Sequence, residues 1–149
     1  MRTSLRFLTL FSFLVAMSAT SAFGLCVNEK WSRLRQGPSL NFEVTWEVFR
    51  YMPLEKLSKR GGWYRVKDVD GKIHWIREDM VTQAFKCVVI KDEFANLRTG
   101  PGTQYAQTKV GRGDKYLSFR MVDSQGQWVK VEDSAGDVSW IYKPLVWIQ

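Results

Sequence analysis

Histidine occurs once in this chain of 149 residues, cysteine twice and proline four times. Beyond residue 24 no apolar run approaches the roughly 20 residues needed to span a membrane. Each shortage removes a class. One His and two Cys cannot by themselves supply the four ligands of a structural zinc site. Four Pro and 11 Gly exclude collagen-like and Pro-rich linker chains. What is present instead is a folding composition, 45% hydrophobic and 14% aromatic, with seven Trp and a formal net charge of +7.

The chain opens with a leader pattern over residues 1–24. Arg2 and Arg6 precede an apolar core from Phe7 to Met17, followed by the small, polar stretch Ser18 to Gly24. This order reads as a secretory signal peptide, and the core is too short for a membrane anchor. Cys26 does not read as a lipidation site, because Leu25 stands where a small residue is needed. Removing 1–24 leaves 20 basic and 15 acidic residues, a net +5. The expected location is the periplasm or the exterior, with no stable membrane insertion after cleavage.

The remainder repeats itself, and a boundary near Phe85 separates a module at 25–85 from one at 86–149. Arg33-Leu34-Arg35-Gln36-Gly37-Pro38-Ser39 is matched by Asn96-Leu97-Arg98-Thr99-Gly100-Pro101-Gly102, an offset of 63, and Phe42 by Tyr105. Trp63-Tyr64-Arg65-Val66-Lys67 is matched by Trp128-Val129-Lys130-Val131-Glu132 at an offset of 65, as are Trp75-Ile76 by Trp140-Ile141 and Met80-Val81 by Leu145-Val146. The change of two residues is most easily placed as an insertion near Asp123 to Gln127. Alternating and β-branched segments separated by Gly61-Gly62, Asp70-Gly71, Gln125-Gly126 and Ala135-Gly136 predict short strands joined by tight turns. The expected fold class is all-β: two tandem small barrels of about five short strands each.

Asn96-Leu97-Arg98-x-Gly100-Pro101-Gly102-x-x-Tyr105 resembles the opening of bacterial Src-homology-3-like (SH3-like, SH3b) domains. Trp128-Val129-Lys130-Val131, Trp140-Ile141 and Leu145-Val146 resemble their closing half. The likeness covers almost all of 87–149, and the first copy is a degenerate version, with Arg33 in place of the usual Asn and His74 in place of a Gly. The resemblance implies cell-wall peptidoglycan or its stem peptides as ligand.

Cys26 and Cys87 each stand just before the first strand of a copy, so a bridge between equivalent positions is expected in an exported chain, two separate thiols being the alternative. Catalytic readings are weak. His74 has no Ser or Cys motif around it and reads as an exposed strand residue, and Asp68-Val69-Asp70-Gly71 lacks the remaining ligands of a calcium loop and reads as a hairpin turn. The chain is read as no enzyme, with no cofactor and no metal. Candidate ligand-binding residues are aromatic or basic: Arg98, Tyr105, Trp128, Trp140 and Tyr142 in the second copy, with Arg35, Phe42, Trp63, Tyr64 and Trp75 in the first. For each repeated Trp, barrel packing weighs more than ligand contact. Tyr64 and Tyr142 are expected to point outward. Arg35 and Arg98 either meet ligand or fix the loop by donating to its carbonyls.

The function expected is therefore a non-catalytic exported module binding the cell envelope, peptidoglycan or its stem peptides. The alternative is an adaptor that binds an extended segment or an envelope protein. A nucleic-acid partner is disfavoured by the leader, despite the basic charge.

Overall fold

The protein is described by a computed structural model over residues 24–149. The expected leader lies outside the described residues except for Gly24, which opens the first strand. The described chain is all-β. In the first module the strands are β1 (Gly24–Val27), β2 (Trp31–Arg35), β3 (Val44–Phe49), β4 (Pro53–Arg60), β5 (Trp63–Lys67), β6 (Ile73–Arg77) and β7 (Val81–Thr82). In the second they are β8 (Cys87–Ile90), β9 (Phe94–Arg98), β10 (Gln107–Asp114), β11 (Ser118–Gln125), β12 (Trp128–Glu132), β13 (Val138–Tyr142) and β14 (Val146–Ile148). Each module forms one seven-stranded sheet, in the orders β3-β2-β6-β5-β4-β1-β7 and β10-β9-β13-β12-β11-β8-β14. Strand for strand the orders are identical, so the sequence repeat is a repeat of topology. The extra strands beyond the expected five are short ones at the module ends, too brief to show a period of two.

The two-residue insertion is not at Asp123 to Gln127. Six residues form β3 and eight form its counterpart β10, whereas β4 and β11 have eight each. The extra residues bulge from β10, whose register against β9 shifts between Gln107 and Arg112 around Gly111 at φ +76°. A bulge absorbs inserted residues without moving side chains in the neighbouring strands to the wrong face.

Two apolar cores follow from strict alternation. Leu25, Val27, Leu34, Val48, Leu54, Val66 and Ile76 fill the first, and Val88, Ile90, Ala95, Leu97, Phe119, Val129, Val131 and Ile141 the second. Strand β8 has every residue buried, because both of its faces are covered. Val88 and Ile90 enter their own core while Val89 packs into the core of the first module. Trp147 of β14 packs there as well. The apolar C-terminal segment thus both pairs with β8 and docks on the other module.

Cys26 and Cys87 form a disulfide with Cα atoms 5.8 Å apart. The bridge is the expected one, but its ends are neither outside the strands nor at equivalent positions. Cys26 is the third residue of β1 and Cys87 the first of β8. Their counterparts in the repeat are Val89 and Gly24. In β1, Leu25 and Val27 face the first core, so Cys26 between them points away from it. The bridge therefore joins two inner strands back to back.

Further contacts fasten the modules together. Tyr116, at φ 72°, reaches from the turn between β10 and β11 to the first module. Its ring meets Trp46 edge-on at 5.2 Å between centroids, and its hydroxyl donates to Asp70 Oδ2 at 2.6 Å. Lys115 Nζ lies 3.3 Å from Asp70 Oδ1, and Ser118 Oγ donates to the Arg50 carbonyl at 2.8 Å.

Candidate functional site

The loop Thr99 to Ala106 after β9 is shaped by three local choices. Arg98, last on β9, donates through Nη1 to the carbonyls of Thr103 at 3.3 Å and Tyr105 at 2.9 Å. The Tyr105 ring lies against Gly100, where a Cβ would stand 2.3 Å from it, so only glycine fits. The first module repeats the device. Arg35 Nη1 donates to the carbonyls of Leu40 at 3.1 Å and Phe42 at 2.8 Å, and the Phe42 ring covers Gly37. Of the two uses open to these arginines, the geometry displays the loop clasp.

Beside this loop, the outer face of β12 and β13 presents the second module's aromatic side chains. Val129, Val131 and Ile141 point into the core, so Trp128, Lys130, Trp140 and Tyr142 must point out. Trp128 and Tyr142 are directly opposite in register, with ring centroids 5.5 Å apart. They line a groove of about 580 Å³ together with Arg98 and the neutral polar side chains of Asn96, Gln104 and Gln127. Trp140 stands in the next row, paired with Arg98 and Lys130, its ring 6.0 Å from the Lys130 ammonium. Tyr105 is exposed but does not line the groove.

A groove of about 340 Å³ occupies the same place in the first module, lined in part by Arg35 and Trp63. Trp75 again stands in the next row, in register with both Arg35 and Arg65. The repeated tryptophans Trp63, Trp75, Trp128 and Trp140 are therefore half-buried on the outer face and belong to neither core. Packing in the barrel interior, the weightier expectation, does not describe them, because alternation gives the inner positions to Val and Ile. Tyr142 faces outward as expected, but Tyr64 does not. Its counterpart is Val129, and it is half-buried against the first core, with the Lys56 ammonium 4.5 Å from its ring.

His74 corrects a second expectation. It is 5% exposed, held between Thr45 Oγ1, 2.7 Å from Nδ1, and Asp68 Oδ2, 2.9 Å from Nε2. Asp68 also accepts from the backbone N–H groups of Asp70 and Lys72 through Oδ1. The Asp68–Gly71 segment is indeed the hairpin turn. A buried carboxylate that closes a turn needs a further donor, and His74 on the facing strand supplies it. The second module keeps the turn with Asp133, which accepts from Ala135 and Asp137, and has Ser139 in place of the histidine. No local pattern marks this pairing, since Asp68 and His74 stand six positions apart across the turn.

Comparison with known proteins places these features in context. The family model for the bacterial SH3 domain matches residues 29–82 and 91–147. Among curated proteins, "Putative N-acetylmuramoyl-L-alanine amidase YrvJ" of Bacillus subtilis (strain 168) is 23% identical over 108 residues, which cover 66% of this chain and 20% of that protein. The chain thus spans about a fifth of the length of that relative. Among solved structures, an NlpC/P60 family protein from Bacillus cereus ATCC 10987 is 10% identical with a TM-score of 0.39, covering 85% of this chain and 56% of that one. NlpC1 from Trichomonas vaginalis is 13% identical with a TM-score of 0.38, covering 92% of this chain and 50% of that one.

Proposed function

Since the chain belongs to the bacterial SH3 domain family in both of its halves, we propose that it is a non-catalytic, exported binding module for peptidoglycan or its stem peptides. The observation that carries this reading is the outward pair Trp128 and Tyr142 set among Asn96, Gln104 and Gln127 beside a clasped loop. Flat apolar rings cover sugar or peptide faces, and neutral amides meet hydroxyl and amide groups around them. The distant likeness to a protein named as an N-acetylmuramoyl-L-alanine amidase supports the same substrate class. Among the described residues no helix is long and apolar enough to cross a membrane.

The test is co-sedimentation of the protein with insoluble peptidoglycan sacculi at low and at moderate salt. Saturable pelleting that weakens with salt is expected, because a basic surface meets an anionic polymer through screened water. Tyr142→Ala and Trp128→Ala should each release the protein, since neither ring belongs to a core. Protein left in the supernatant at both salts overturns the reading.

A second reading, an adaptor for an envelope protein, draws support from the cleft between the modules. There Phe49, Tyr116 and Leu117 are all exposed beside Arg50. Loss of sacculus binding together with capture of one envelope protein, abolished by Phe49→Ser, would favour it.

A further inference from the structure

The two grooves are built on one scaffold and differ in charge. Arg35, Trp63 and Met80 line the first where Arg98, Trp128 and Leu145 line the second. At the remaining shared positions the chemistry changes: Arg33 replaces Asn96, Arg77 replaces Tyr142, and Leu40 replaces Thr103. The first groove also gains Lys30 and Trp31. Its lining holds four cations against the single carboxylate of Glu29, whereas the second holds Arg98 alone and no carboxylate. Since Arg98 and Arg35 both clasp their loops, the cations that distinguish the first groove are Lys30, Arg33 and Arg77.

These side chains are set in place rather than scattered. The Arg33 guanidinium lies 5.1 Å from the Trp31 ring, which keeps it beside the groove. Arg33 meets Glu47 at 3.0 Å through Nε, not through the fork of its two Nη groups. Arg77 pairs with Asp79 at 2.5 Å. The carboxylate side chains of both pairs are more than half exposed, at 57% and 53%. Exposed pairs of this kind hold weakly in water, so a ligand carboxylate can exchange with them and gain both charge and a planar fork. Trp31 at 49% exposure and Leu40 at 64% supply an apolar wall next to the cations.

We propose that the first module, degenerate as a family member, carries a ligand site of its own that recognises a free carboxylate next to an apolar side chain on a stem peptide, while the second module's groove takes the neutral part of the same polymer. The proposal rests on the wall-binding reading and adds a division of labour to it. The salt sensitivity of the whole chain then resides in the first groove. The full disulfide-bonded chain is the binding unit, because the two grooves are presented by modules that share packing at Val89 and Trp147.

The experiment is calorimetric titration of the full chain with a soluble muropeptide bearing free carboxylates, and with the same muropeptide fully amidated. The free form should bind about tenfold more tightly, the advantage expected of a charge-assisted fork. The double variant Arg33→Gln and Arg77→Gln should erase that advantage and the salt dependence while leaving the amidated probe unaffected. Arg77→Lys should retain part of it, and thermal melting checks that each variant is folded. Equal binding of both probes, or a double variant that behaves as wild type while Tyr142→Ala loses both, overturns the carboxylate site and leaves wall binding standing. Failure of either probe to bind, with sacculi also ignored, overturns both.

Discussion

Arg98 and His74 show how one side chain can organise a segment without being its most conspicuous feature. Arg98 collects the carbonyls of Thr103 and Tyr105, so the shape of the groove wall depends on a residue at the end of the neighbouring strand. His74 links Thr45 on an edge strand to the buried Asp68 turn. Replacing it removes a partner from a carboxylate that is 3% exposed. His74→Ala should therefore cost about 2 kcal/mol, the penalty for leaving buried polar groups without a hydrogen-bond partner. Urea unfolding of the two proteins measures it, and indistinguishable midpoints would refute the load assigned to His74. His74→Ser, which copies Ser139 of the other module, should recover little, since a serine hydroxyl cannot span from Asp68 to Thr45.

At the scale of the element, the turn between β10 and β11 is one of the parts of the second module that grip the first. Asp70 receives the Tyr116 hydroxyl and the Lys115 ammonium, and these donors hold its carboxyl below the usual carboxylate range, the Tyr116 hydrogen bond contributing most. The same hydrogen bond raises the Tyr116 phenol above its ordinary value. A carboxylate whose pKa is lower folded than unfolded stabilises the fold above its unfolded pKa and loses that contribution as pH falls through the folded value. Wild type should thus exceed Asp70→Asn in melting temperature at neutral pH, and the gap should close as the acid range is entered. A gap that stays constant across the titration would show that Asp70 acts through shape alone. The strands themselves were readable from alternation, as at β12, where Val129 and Val131 face in and Trp128 and Lys130 face out. The bulge in β10 leaves only a faint mark in the residues, Tyr51 and Tyr116 already standing 65 positions apart, and the register with β9 locates it.

For the whole molecule, the bond between Cys26 and Cys87 closes a separation of 61 residues across two small cores. Chain entropy for a loop of that size gives about 4 kcal/mol, a large share of the stability of a domain this small. The double variant Cys26→Ala and Cys87→Ala should lower the free energy of guanidinium unfolding by about that amount. It should retain the β-sheet signal, since Val89 and Trp147 still pack into the first core. An unchanged unfolding curve would mean that the shared packing alone fixes the pair.

Residue order by itself determined the repeat and the all-β class, because these depend on local period and on copy number, and it raised the expectation of a bridge between Cys26 and Cys87. It marked Trp128, Tyr142 and Arg98 as candidates on the same grounds. Only the tertiary structure decided that the repeated tryptophans stand outside the cores, that Tyr64 turns inward, that His74 is buried and that two equivalent grooves carry different charge. Each of these depends on which neighbour a side chain meets across a sheet or from the other module. Such neighbours are set by register and docking, which no single segment encodes.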